Sequence, residues 1–302
     1  MKKQLLTLFL LAFCASTFAI GINQKTASTI KNGKIIIGLY EHEKKESAEE
    51  AKEIDDINTV LTTIIKQYWT FSEIADIMPI KAAQKAAKKD PNLFVLYPGT
   101  NSAVGGNAGG YRIVTKSDAL LLSTGSKDFL NAIDFPNIPT GINKASLVFA
   151  VTSMQNMVEQ IYNKQKMGLT SIYLSMNDNI PSLKSKTLLI PDYLLDEDVT
   201  SEMFGENYPF DFKIVSTEEY SQKILEKDSS YCYLVYLIQP AGSSFAHMLY
   251  WIDASNGAFC AKLRISSVVQ MKGSVFFKNG KSKTINKRIL KDMAQLFKDS
   301  GK

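Results

Sequence analysis

Two small-residue loops hold the residue types that could do chemistry. One reads GTNSAVGGNAGG over 99–110 and the other PAGSSFA over 240–246. Glycine-rich backbone cradles phosphate when it feeds a helix N-terminus, whose free N–H groups then point at the anion. The first loop instead lies between two predicted strands, and no Gly-Lys-Ser/Thr follows it. A hairpin tip or ligand loop is expected there, with Gly105, Gly106, Asn107, Gly109 and Gly110 as its contact residues. The second loop places Ser243 and Ser244 just ahead of His247, a nucleophile type beside a base type. No Gly-x-Ser-x-Gly elbow surrounds these serines, and the chain has only 2 histidines, His42 and His247. No residue receives a catalytic role, no cofactor motif is present, and the scarcity of histidine argues against a structural zinc site.

Three further features bear on chemistry. Gly280-Lys281-Ser282 resembles the end of a phosphate loop, but position 275 is valine where that motif needs glycine. Cys232 and Cys260 are expected on the two strands flanking a middle strand, about 9–10 Å apart at twice the usual strand spacing. A disulfide needs Cα atoms within about 7 Å, so both thiols are predicted buried and unbridged. Basic residues accumulate after Lys262, against only Asp292 and Asp299 on the acidic side. Lys281, Lys283, Lys287 and Arg288 are the predicted contacts with an anionic surface or an acidic envelope protein. Aromatic and basic residues are hardly interleaved, which counts against a nucleic-acid partner.

The first 19 residues read as an address. Lys2 and Lys3 precede the apolar run 5–15, and Thr17-Phe18-Ala19 puts small residues where a signal peptidase cuts. Cleavage is expected near Ala19. Processing as a lipoprotein at Cys14 is disfavoured because Phe13 precedes it, and no later stretch has the roughly 20 apolar residues of a membrane span. The 302-residue chain is 45% hydrophobic and 22% charged, ample for a globular core.

The elements that must position these loops recur. KIIIGL (34–39) is echoed by KTLLIP (186–191), and the stretch 71–97 by 210–237. The expectation is an α/β (α+β) fold of two tandem strand-helix-strand-helix-three-strand units, at 20–125 and 186–302. A 126–185 linker joins them, carrying a long amphipathic helix near 142–165 whose stripe runs from Leu147 to Ile161. The first unit is read as a strand at 34–40, a solvated acidic stretch at 41–56, a helix over 57–69 and a strand at 71–77. A helix from Pro79 follows, then strands at 93–97, 111–115 and 119–123. The second is read as a helix near 195–206, a strand at 212–216, a helix capped by Ser216 and Glu219, and strands at 231–238, 247–253 and 258–265. A hairpin over 274–285 and a helix over 287–298 close the chain.

This element order resembles the amino-terminal domain of the TolB translocation-protein family and the core of the curli-secretion lipoprotein family. The resemblance implies an envelope module that serves assembly and protein contacts. The chain thus reads as an exported, non-enzymatic binding or assembly module of a bacterial-type envelope. The alternative is an envelope serine hydrolase using a small-residue loop serine.

Overall fold

The computed structural model describes residues 22–108, 111–126, 129–136, 138–139, 142–241, 244–265 and 285–299. The fold is mixed α/β, built on two five-stranded sheets. In the first, β1 (Lys34–Leu39) lies between β2 (Glu73–Pro79) and β3 (Leu93–Ala108). The meander then runs through β4 (Tyr111–Ser123) to β5 (Phe129–Asp134). In the second, β6 (Thr187–Pro191) lies between β7 (Phe212–Val215) and β8 (Tyr231–Ala241), followed by β9 (Ser244–Asp253) and β10 (Phe259–Ile265). Both sheets carry the same strand order, parallel at the β2-β1-β3 and β7-β6-β8 ends and antiparallel through the meander.

The interior lies between the two sheets. Ile35, Ile37, Phe94, Leu96, Leu120 and Leu122 of the first sheet and Leu189, Tyr233, Val235, Tyr250 and Ile252 of the second belong to one apolar cluster. Between them sit α1 (Gln24–Asn32), α2 (Ala48–Tyr68), α4 (Lys144–Tyr162), α5 (Leu169–Leu174) and α7 (Thr217–Glu226). The outer face of the first sheet is covered by α3 (Ile80–Ala87) through Ala83 and Ala87. The outer face of the second is covered by α6 (Ser201–Asn207) and α8 (Lys287–Asp299), with Phe204, Met293 and Phe297 in its core.

Several boundaries differ from the sequence reading, each for a physical reason. The helix α2 starts at Ala48, not 57, because Ser47 and Glu50 form a reciprocal capping box that anchors the acidic stretch as helix. Ser216 caps α7 through the Glu219 amide, while the Glu219 carboxylate turns to Lys213 at 2.5 Å. The expected amphipathic stripe of α4 is instead a helix enclosed on every side from Ala145 to Met154. Phe149 meets Tyr233 and Phe259 of the second sheet, with ring centroids 6.4 and 6.3 Å away. Asn131 on β5 reaches the helix from the first sheet, donating to Met154 Sδ at 3.1 Å. The strands read at 111–115 and 119–123 are the single strand β4, and β5 falls in the stretch read as linker. The helices α1 and α5 and a 3-10 stretch at Met176–Ser185 were not expected.

Cys232 and Cys260 are free and buried on β8 and β10, with β9 between them. Burial pushes both thiols up, that of Cys260 to about 11, which keeps them protonated and inert at neutral pH. Among the described residues, no helix is long and apolar enough to cross a membrane.

Candidate functional site at the junction of two hairpins

The loop expected at 99–110 is mostly strand. With 16 residues in β3 and 13 in β4, this hairpin extends well past its sheet. The strand β1 pairs with β3 only up to Leu96, and β5 pairs with β4 only from Ala119. From Pro98 to Ala108 the pairing is with β4 alone, so the two strands form an arm. Gly105, Gly106 and Asn107 lie in β3 within this arm, Asn107 opposite Arg112 across a break in register. Gly109 and Gly110 lie outside the described residues.

The loop expected at 240–246 is likewise the end of a hairpin. The register runs from Cys232↔Asp253 to Ala241↔Ser244, and Ser243 lies outside the described residues. Ser244 opens β9 and His247 follows on the same strand. His247 shares a hydrogen bond through Nδ1 with the Tyr236 hydroxyl, and the two rings stack with centroids 5.9 Å apart. Half-burial lowers the imidazole below its usual 6.5, so it is neutral at pH 7.

The two hairpins meet at their bases around a residue that sequence reasoning missed. Asp134, the last residue of β5, is 1% exposed. Its Oδ1 accepts from Asn101 Nδ2 at 2.9 Å on β3 and from the Ser117 hydroxyl on β4. Its Oδ2 accepts from Gln239 Nε2 at 3.1 Å, across the interior on β8. The Tyr250 hydroxyl on β9 donates to Gln239 Oε1 at 2.8 Å and so fixes the amide that reaches Asp134. Burial raises the Asp134 carboxyl above its usual 3.8, and the Ser117, Asn101 and Gln239 hydrogen bonds oppose that shift. Tyr173 and Tyr250, both buried, feel the Asp134 charge, and their hydroxyls are pushed up chiefly by burial. The arrangement therefore locks the first hairpin to the second.

Of the basic residues expected to contact an anionic surface, Lys287 and Arg288 open α8. Lys281, Lys283 and all of the hairpin expected at 274–285 except Ile285 lie outside the described residues, as do the leader and Cys14. His42 sits far along the chain from the hairpins, with Nδ1 at 2.6 Å from Glu46 and Nε2 at 3.2 Å from Asp55. Among the described residues, no group of three or more His, Cys, Asp or Glu side chains is placed to hold a metal ion. Comparison with protein-family models, curated proteins and solved structures gives no match. The likeness to the two envelope families accordingly stands on element order alone.

Proposed function

We propose that the protein is an exported, non-enzymatic binding or assembly module of the cell envelope, and that its partner is held along the two hairpin arms. The observation that supports this reading is the cross-sheet lock at Asp134. It fixes the bases of two projecting hairpins, one from each sheet, relative to each other. A rigidly spaced pair of arms is a preorganised surface, and preorganisation reduces the ordering cost of binding. The polar groups at the junction are engaged with one another, and the one histidine near it is bonded to Tyr236. Export is supported by the leader-like order of Lys2, Lys3, the apolar run 5–15 and Thr17-Phe18-Ala19. The basic stretch beyond Lys262, including Lys281, Lys283, Lys287 and Arg288, is a second contact, with an anionic surface or envelope protein.

Photo-crosslinking residues placed at Asn107 and Phe245, with Lys66 on α2 as control, test the binding surface in intact cells. Both arm positions should capture the same macromolecule and the control should not. Labelling of Ser243 or Ser244 by a fluorophosphonate probe would instead establish the serine-hydrolase alternative. Recovery of unprocessed protein only from the cytosol would contradict export.

A further inference from the structure

A polar cleft runs along α1, at the opposite end of β3 from its arm. It is a cavity of about 540 Å³ lined by Gln24, Lys25, Ser28, Thr29, Asn32 and Asn92. Gln24, Ser28 and Asn32 recur every four residues and so line one stripe of the helix, about 12 Å long at the helical rise. Asn92, the residue just before β3, forms the other wall. That wall is held against the helix end. Lys34 N donates to the Asn92 carbonyl at 2.9 Å, and the Asn92 amide donates to Asp90 Oδ1 at 2.9 Å. Gly33 permits the close approach, since an added Cβ would lie 2.4 Å from the Asn92 carbonyl oxygen. The two walls of the cleft are therefore set by the backbone before any ligand arrives.

The lining chemistry selects the ligand. Pockets of this size are usually walled by apolar and aromatic side chains, whereas every side chain here is polar. Those of Gln24, Ser28, Asn32 and Asn92 make no hydrogen bond to any described residue, and Lys25 forms no ion pair with one. The Thr29 hydroxyl alone is engaged, donating to the Lys25 carbonyl at 3.0 Å. Three amides and a hydroxyl offer donors and acceptors side by side. Sugar hydroxyls, each a donor and an acceptor, match such a lining. Lys25 adds one cation and no lining residue is acidic, so a carboxylate is the charge that fits. A phosphate site would need converging cations or free amides at the helix start, but Asn23 already holds the Thr26 and Ala27 amides. We propose that this cleft binds an acidic saccharide, with its hydroxyls on Gln24, Ser28, Asn32 and Asn92 and its carboxylate on Lys25. The site rests neither on the hairpin arms nor on the basic C-terminal stretch.

The test is an NMR titration of the isotope-labelled chain with trigalacturonate, with maltotriose and with inorganic phosphate. Trigalacturonate should shift amide signals of residues 24–32 and 92, and maltotriose should shift the same signals with an affinity lower by a few-fold at low salt. Gln24→Ala/Asn32→Ala should weaken both sugars about tenfold, as expected for losing two hydrogen-bonding side chains. Asn92→Ala, on the other wall, should weaken both as well. Lys25→Gln should erase the preference for the acidic sugar while leaving maltotriose binding near wild type. None of these side chains bonds to the rest of the protein, so the urea midpoints of the variants should stay at the wild-type value. The proposal is overturned if neither trisaccharide shifts these signals, if the alanine variants bind as wild type does, or if phosphate binds here more tightly than trigalacturonate.

Discussion

The two sheets share a strand order yet are dressed in opposite senses. In the first, the helix after the opening strand, α2, faces the common interior with Leu61, Ile64 and Ile65 buried. The next helix, α3, lies outside. In the second, the helix after the opening strand, α6, lies outside, and the next one, α7, faces inward through Tyr220 and Ile224. The sheets therefore stack front to back, so that the back of one meets the front of the other. Corresponding stretches consequently face different burial demands. The outer α3 packs through alanines, whereas its counterpart α7 needs a tyrosine hydroxyl that donates to Leu234 O at 2.8 Å. Shared topology does not require shared packing, and the residues that join the sheets belong to neither pattern.

Those joining residues offer ways to break the arrangement. The largest effect is expected at Phe149, which touches the second sheet from a helix that also packs on the first. Phe149→Ala should cost about 3–5 kcal/mol in denaturant unfolding, as full truncation of a buried phenylalanine does. Next is Gly257 in the β9–β10 turn, with φ +74°, where an added Cβ would sit 2.6 Å from the Ser153 amide nitrogen of α4. Gly257→Ala should cost about 2 kcal/mol or more, through both backbone strain and the clash. Ser153→Ala, which removes only the 2.9 Å hydrogen bond to the Gly257 carbonyl, should cost about 1 kcal/mol.

Asp134 adds a pH dependence with a definite sign. Its carboxyl is raised above 3.8 in the folded chain, so the native state holds that proton more tightly than the unfolded state. Its contribution to stability is therefore greatest below the unfolded value and declines as pH rises through the native one. The stability of wild type minus that of Asp134→Asn should fall as pH is raised from about 4, read by urea unfolding. A difference that grows with pH would reverse the assignment. The smallest effect contrasts the two histidines. Glu46 raises His42, on the first sheet's side, above 6.5, and half-burial lowers His247 on the second. NMR titration should find the two imidazoles on opposite sides of that value.

Much of the scaffold was legible because its signals are local. The isoleucines of β1, the proline before α3 and the meander β8 to β10 each lie within a few residues of their own punctuation. Four features were hidden for different reasons. The helix α1 buries only Ala27 and Ile30 in a polar stretch. The start of α2 carries an S-x-x-E box that its acidic composition masks. Ala145–Met154 of α4 contains no charge, the mark of an enclosed helix, but its periodic positions suggest a stripe. Asp134 has no local signal at all. It lies at the head of the proline-rich stretch 134–141, and its partners are 17, 33 and 105 residues away.

The lock between the sheets at Asp134 and Gln239 is the claim on which the account of the arms depends. A double-mutant cycle of Asp134→Ala and Gln239→Ala, followed by urea unfolding, measures it without reference to any ligand. Each single substitution strands polar partners and should cost about 1–3 kcal/mol. The pair should cost less than the sum, with a coupling of about 0.5–3 kcal/mol. Costs that add to within about 0.3–0.5 kcal/mol would show that the two side chains act independently and that the hairpins are not held together there.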